Sequence, residues 1–100
     1  MSRAVINKLD TNHFQLEGEL SLQTAPDLLQ SMLGQFPPVG SEAHIDLEGV
    51  TRSDSAGLAL LVEWLRLAEK HGVTLRFHNL PDQLREIARV SDLLPLLPLA

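Results

Sequence analysis

Residues 43–61 read AHIDLEGVTRSDSAGLALL, and this stretch contains the change of pattern that decides the fold. Apolar and polar residues alternate over residues 43–47, which predicts a strand that is buried on one face. Over residues 54–71 the apolar positions instead recur every three or four residues, which predicts a helix that begins at Asp54 or Ser55. The stretch therefore predicts a strand, a short loop and a long helix.

The sequence on either side of this stretch adds further elements of both kinds. The order is ββαβαβα, with strands predicted over residues 4–9, 13–20, 43–47 and 73–78, and helices beginning near residues 24, 54 and 79. Thr24 is the expected N-cap of the first helix, and Gly34 is expected to close it in the left-handed conformation. All the clear strands alternate, so we predict an α/β fold whose mixed four-stranded sheet carries its helices on one face, as one domain over residues 1–100. The apolar tail, residues 93–99, is interrupted by two prolines and is expected to pack on the sheet edge or the final helix.

Composition narrows the class of function. The chain has 100 residues, a formal charge of −5 and no cysteine, which excludes disulfides, thiolate metal sites and cysteine nucleophiles. No basic stripe is present to bind nucleic acid, and no apolar run reaches the roughly 18 residues of a membrane span. The first residues do not resemble a signal peptide. We expect a cytoplasmic protein that neither enters a membrane nor binds nucleic acid.

No set of residues in the sequence predicts catalysis. The six glycines are scattered singly, so no phosphate-binding loop is predicted, and nothing places a base near Ser55 for a serine triad. We expect no enzyme, no cofactor and no metal. His13, His44 and His78 belong to three different predicted strands and could share the open sheet face. We interpret them as surface residues, with a metal-binding or pH-sensing cluster as the alternative.

The start of the long helix is the most informative position. Asp54 and Ser55 are suited to capping the helix, which is a structural role. A hydroxyl at a strand-to-helix junction is also exposed, held rigidly and close to the positive end of the helix dipole. Such a position suits phosphorylation or contact with a partner's polar group. Ser55 is therefore a candidate functional residue.

The apolar arc of the same helix is unusually wide. Two apolar stripes together span roughly 220° of its circumference, where about 100° is enough to face a core. One interpretation is that neighbouring helices cover the second stripe. The other is that this stripe is partly exposed and forms a docking surface for a partner protein. Two copies of this chain could pair through the exposed stripe when the partner protein is absent. The residues of the second stripe are Leu60, Trp64 and Leu67.

Residues 44–50 (HIDLEGV) and 54–58 (DSAGL), together with the order of elements, resemble the STAS domain family over nearly the whole chain. One branch of that family consists of anti-sigma-factor antagonists, which a partner kinase phosphorylates on the hydroxyl residue directly before the glycine. Here that position is Ala56, so a phospho-switch on an anti-sigma kinase would have to use Ser55 or Ser53. This switch is the alternative function.

Residues 54–61 (DSAGLALL) and 67–73 (LAEKHGV) resemble a second branch, the MlaB-type accessory subunits of phospholipid-transport ABC systems that maintain outer-membrane lipid asymmetry. This resemblance implies a non-enzymatic subunit that binds and stabilises or regulates a cytoplasmic, MlaF-like ABC ATPase, and that is peripheral to the inner membrane through this partner. The partner-binding residues so implied are Asp54, Ser55, Ala56, Gly57, Leu60, Trp64 and Leu67.

Overall fold

Strands and helices follow one another in the predicted order in the computed structural model, which describes residues 3–100. The strands are β1 (Ala4–Lys8), β2 (His13–Leu20), β3 (Glu42–Ser53) and β4 (Thr74–His78). The helices are α1 (Ala25–Leu33), α2 (Ser55–Lys70) and α3 (Asp82–Val90), and a short 3-10 turn follows at Leu94–Leu96. No helix among residues 3–100 has the length and apolarity needed to cross a membrane.

The four strands form one mixed sheet in the order β1-β2-β3-β4. β1 is antiparallel to β2, whereas β2, β3 and β4 run parallel to one another. Burial alternates over most of β2, over β3 as far as Leu47 and along β4, so one face of the sheet lies against the helices and the other is open. The predicted fold class, a mixed four-stranded sheet with its helices on one face, is confirmed.

Helix α2 lies between α1 and α3 and contacts both. Because both neighbours pack against it, its wide apolar arc is covered: Trp64 is 0% and Leu60 3% exposed, while Leu67 is half-buried. The expectation that the Leu60–Trp64 stripe forms an exposed docking surface is therefore wrong. The first of the two interpretations, that neighbouring helices cover the stripe, describes the fold.

Strand β3 is longer than its sequence pattern predicted. It continues past Leu47 to Ser53, still paired with β2, and the register between the two strands shifts twice along the way. These irregularities break the alternation of buried and exposed side chains after Leu47, so a period of two cannot be seen there. As a result no loop separates β3 from α2, and Asp54 alone connects them.

The first helix begins directly after Thr24, as predicted, but neither of its ends has the capping geometry that the sequence predicted. Gly34 has a φ of −83°, so it does not end α1 in the left-handed conformation. Thr24 makes no capping hydrogen bond; its hydroxyl donates to the Glu19 carbonyl at 2.8 Å and accepts from the Ser21 backbone N–H at 2.9 Å. Thr24 therefore stabilises the turn before the helix rather than the helix itself.

The C-terminal tail packs on the free edge of β4, one of the two places that the sequence predicted. The Phe77 N–H donates to the Pro98 carbonyl at 2.9 Å, and the Ala100 N–H donates to the Phe77 carbonyl at 2.9 Å. Leu97 is buried in the core. These contacts cover backbone groups that an open sheet edge would otherwise offer to another chain.

Candidate functional site

Asp54 connects β3 to α2 and caps the helix. Its backbone is extended, and its Oδ1 accepts a hydrogen bond from the Ala56 N–H at 2.8 Å. The Asp54 N–H donates to the Leu20 carbonyl at 3.1 Å, which holds the junction against the end of β2. The predicted capping role of Asp54 is confirmed, and the cap fixes the position of the next residue.

Ser55 is the first residue of α2, and its side chain is exposed. It lies at the positive end of a 16-residue helix, where negative charge is favoured. Ala56 is half-buried and Gly57 is buried, so among these three residues Ser55 is the one most open to a partner. Ser53, the other hydroxyl considered for a phospho-switch, is only 2% exposed, and its Oγ donates to the Asp54 carbonyl at 3.1 Å.

Gly57 is required by close packing at the same junction. A Cβ atom at this position would lie 2.1 Å from Ser53 Oγ and 2.9 Å from Leu20 Cβ. The missing side chain therefore lets the first turn of α2 rest directly on the ends of β2 and β3. This close approach explains why glycine follows the Asp-Ser-Ala sequence here.

A hollow of about 270 Å³ lies beside the junction, at the carboxyl ends of β2 and β3. Its lining includes Ser21, Arg52, Asp54 and Gln83. Gln83 Oε1 accepts from the Ser53 N–H at 2.9 Å, so the first turn of α3 is held against the end of β3. Ligand sites of open α/β sheets favour this end of the strands.

Leu22 directly follows Ser21, and its side chain is 81% exposed. We define the junction surface as the exposed region around this hollow, formed by Ser21, Leu22, Arg52, Asp54, Ser55 and Gln83. Of these the sequence pointed only to Asp54 and Ser55. Ser21, Leu22 and Gln83 come from loops and from another helix, and no local pattern links them to the motif.

The three predicted sheet histidines do lie together on the open face. His44 Nδ1 is 2.7 Å from His78 Nε2, and the rings of His13 and His44 stack with centroids 4.9 Å apart. The hydrogen bond between His13 Nδ1 and the Asp10 carboxylate, at 2.8 Å, lowers the pKa of Asp10 below its usual value of 3.8. Within residues 3–100, no group of three or more His, Asp or Glu side chains is arranged to hold a metal ion.

Comparison with known proteins places this geometry in a family. The family model described as "Mlab, STAS domain" matches residues 5–98. An anti-sigma-B factor antagonist of Bacillus subtilis (strain 168) is 28% identical over 88 residues, covering 86% of this chain and 80% of the relative.

Two solved structures have the same fold. The anti-sigma factor antagonist SpoIIAA in its unphosphorylated form has a TM-score of 0.72 at 15% identity, covering 98% of this chain and 88% of that chain. An anti-sigma factor antagonist from Mycobacterium paratuberculosis has a TM-score of 0.67 at 23% identity, covering 99% and 85%. The family match over residues 5–98 and the shared fold lead to one conclusion: this chain belongs to the STAS domain family.

Proposed function

We propose that this chain is a non-catalytic regulator that docks its junction surface onto a partner protein, and that this partner is an anti-sigma kinase, an anti-sigma factor that phosphorylates the chain. The observation that carries the proposal is the exposed Ser55 hydroxyl, held by the Asp54 cap at the start of α2. The names of the relatives support the choice of partner, because the Bacillus subtilis protein and both solved structures are anti-sigma factor antagonists.

The junction surface has the chemistry of a small protein interface. Leu22 offers an exposed apolar anchor, Arg52 a cation, and Ser55 a hydroxyl. Arginine is enriched among the residues that dominate binding energy, and an apolar side chain gains most when a partner removes it from water. Leu60 and Trp64 have no part in this contact because they are buried, so their effect on binding is limited to holding α2 in place.

Phosphorylation of Ser55 would reverse such docking without unfolding the domain. A phosphate adds about −1.5 to −2 charges at neutral pH, and at a helix N-terminus the helix tolerates this charge. A partner surface that buries the hydroxyl would instead have to desolvate the phosphate, which is costly. In this role Ser55 replaces the hydroxyl that Ala56 lacks.

A second candidate partner is a cytoplasmic ABC ATPase, which would place the chain at the inner membrane in phospholipid transport. Ala56 favours this function, because the residue directly before Gly57 has no hydroxyl for a kinase to modify. The description of the matching family model, "Mlab, STAS domain", supports the same function. Ser55 would then be a permanent polar anchor rather than a switch.

Binding and phosphorylation experiments separate the two partners. The purified chain is titrated calorimetrically with the anti-sigma kinase and with the ABC ATPase of its own organism, each tested alone. Ser55→Ala should weaken binding to the true partner by about 1 kcal/mol, or roughly fivefold, because one buried hydrogen bond is lost. Ser91→Ala is the matched control, since Ser91 is an exposed serine at the far end of α3.

Mass spectrometry after incubation with the kinase and ATP completes the test. A single phosphate on the wild type that is absent from Ser55→Ala supports the anti-sigma function. Binding to the ATPase with no phosphate on the chain supports the transport function. Binding to neither protein, or an equal loss of affinity in Ser91→Ala, would overturn the assignment of the junction surface.

A further inference from the structure

The two edges of the sheet differ in how they are covered. The edge at β4 carries the C-terminal tail, which bonds to both backbone groups of Phe77. The other edge is β1, which pairs with β2 on one side only. No strand or loop among residues 3–100 forms backbone hydrogen bonds to the outer side of β1. This edge therefore offers a row of backbone groups to another chain.

The hydrogen bonds between β1 and β2 show which backbone groups of β1 point outward. The Glu19 N–H donates to the Arg3 carbonyl at 2.9 Å, and the Leu9 N–H donates to the His13 carbonyl at 2.8 Å. In an antiparallel pair every second residue bonds to the neighbouring strand, so the backbone groups of residues 3, 5, 7 and 9 face β2. The N–H and carbonyl groups of the residues between them face away from the sheet. These outward residues are Ala4, Ile6 and Lys8.

The outward residues are spaced symmetrically about Ile6, so this edge is complementary to itself. When a second copy lies antiparallel with the two Ile6 residues opposite each other, Ala4 of each copy lies opposite Lys8 of the other. Each of these residue pairs then exchanges two backbone hydrogen bonds, and the two copies are related by a two-fold axis. Any other antiparallel register leaves at least one outward residue of each copy without a strand partner.

The side chains of β1 place a free cation at this edge. Ile6 lies opposite Leu16 and Lys8 opposite Phe14 in the register with β2. Leu16 and Phe14 are buried, and residues opposite each other on neighbouring strands share a face of the sheet, so Lys8 lies on the helix side. Its side chain is exposed and forms no ion pair with another of the residues that the structure describes.

A free carboxylate lies beside the other end of the same strand. Asp27, in the first turn of α1, lines a hollow of about 220 Å³ together with Arg3, Ala4 and Val5. Asp27 is exposed, and neither Arg3 nor any other cation within residues 3–100 forms an ion pair with it. In the symmetric register, Lys8 of the second copy lies opposite Ala4 on the helix side, so its side chain extends toward this hollow.

We propose that β1 pairs with β1 of a second copy, which joins two four-stranded sheets into one, and that Lys8 of each copy pairs with Asp27 of the other. A lysine on an edge strand discourages strand pairing in general. Here Asp27 gives this lysine a partner in the symmetric dimer, so the charge selects a second copy over an unrelated strand. Val5, which is 48% exposed, is partly covered by Asn7 of the second copy.

Sedimentation equilibrium of the full chain, from about 10 µM to about 1 mM, tests the proposal, because so small an interface gives a dimer that depends on concentration. Lys8→Glu and Asp27→Lys should each weaken dimerisation by about tenfold or more, since each ion pair occurs twice and attraction becomes repulsion. The double variant should dimerise as the wild type does. Lys70→Glu is the matched control, because Lys70 is the other lysine of the chain and ends α2.

Amide hydrogen exchange of the wild type tests the geometry without any substitution. The amides of Ile6 and Lys8 should exchange fast in the dilute monomer and become protected as the concentration rises. Those of Val5 and Asn7, which face β2, should be protected at every concentration. This contrast between alternate residues is specific to strand pairing at this edge.

Four results would overturn the proposal: no dimer up to about 1 mM, equal dimer affinity in the wild type and Lys8→Glu, an equal loss in Lys70→Glu, or a double variant no better than the single ones. Protection of the Ile6 amide that appears only when a different protein is added would assign the edge to that protein instead. Ser55→Ala should dimerise as the wild type does, because the junction surface shares no residue with β1. Failure of the dimer therefore leaves the proposed function standing.

Discussion

At the scale of single residues, the Asp54 side chain stabilises the start of helix α2. Its carboxylate accepts from the Ala56 N–H, and this bond begins α2. We expect Asp54→Ala to lower the free energy of unfolding by about 1 kcal/mol, as is typical for a lost N-cap. Asp54→Asn should keep most of the stability, because asparagine caps equally well. Urea unfolding followed by circular dichroism measures both, and equal losses in the two variants would contradict a capping role.

Gly57 gives a second prediction at this scale. An alanine methyl group would lie 2.1 Å from Ser53 Oγ and 2.9 Å from Leu20 Cβ, and both of these residues are buried. We expect Gly57→Ala to lower the free energy of unfolding. The cost of overpacking, about 1–3 kcal/mol, exceeds the gain in helix propensity, which is at most about 1 kcal/mol.

Gly34→Ala is the control for this substitution. Nothing lies within 4 Å of a Cβ at position 34, and its φ of −83° suits any residue. It should leave stability unchanged or raise it slightly in the same urea experiment. A Gly57→Ala variant as stable as Gly34→Ala would show that α2 can shift away from the ends of the strands.

At the scale of elements, α2 depends on Trp64, whose position in the sequence pattern fits either a covered or an exposed side chain. Trp64 is fully buried, and its Nε1 has no hydrogen-bond partner among the described residues. Trp64→Ala should cost about 3–5 kcal/mol, as large aromatic truncations in a core do. Trp64→Phe should cost much less, because it keeps most of the ring and removes a buried, unpaired N–H.

Guanidinium unfolding separates these variants. Circular dichroism is the readout, because Trp64 is the only tryptophan and both variants lack it. Leu96→Ala is the control, since Leu96 is 67% exposed and its truncation should be nearly neutral. If Trp64→Ala were as mild as Leu96→Ala, the tryptophan would have to lie at the surface, as the docking interpretation required.

The elements also show how far a sequence pattern reaches. Strict periodicity predicted β2 and α2 almost to the residue, because a half-buried strand and a core-facing helix repeat at fixed intervals. It failed for β3 beyond Leu47, where bulges in the pairing with β2 remove the repeat. Periodicity also does not indicate whether Trp64 is covered or exposed, because this depends on how the helices α1 and α3 pack against α2.

The junction surface and the histidine cluster show the same limit. Asp54 and Ser55 are adjacent in the chain and formed a recognisable motif, whereas Ser21 and Gln83 join Asp54 only through the fold. The three histidines could be placed on one face from strand alternation alone. Their ring contacts could not, because the register between strands fixes which side chains face each other.

At the scale of the whole molecule, the acidic surface makes stability depend on pH. Hydrogen bonds from His13, Arg66 and Arg89 lower the pKa values of Asp10, Glu63 and Glu86, respectively, below their ordinary values of 3.8, 4.5 and 4.5. A carboxyl whose pKa is lower in the folded state binds fewer protons there than in the unfolded chain. The stability it contributes is therefore present above its unfolded pKa and is lost as the pH falls below that value.

We therefore expect the free energy of unfolding to decline as the pH falls from about 5 toward 3, the range in which unfolded carboxyl groups take up protons. Urea unfolding at a series of pH values measures the decline. The triple variant Asp10→Asn, Glu63→Gln, Glu86→Gln should be slightly less stable than the wild type at neutral pH and should lose less on acidification. The difference should shrink at high salt, because all three pairs are exposed and screened. If wild type and variant lost stability in parallel between these pH values, the three exposed pairs would contribute nothing to the fold, and the acid sensitivity would have to come from the remaining carboxyl groups.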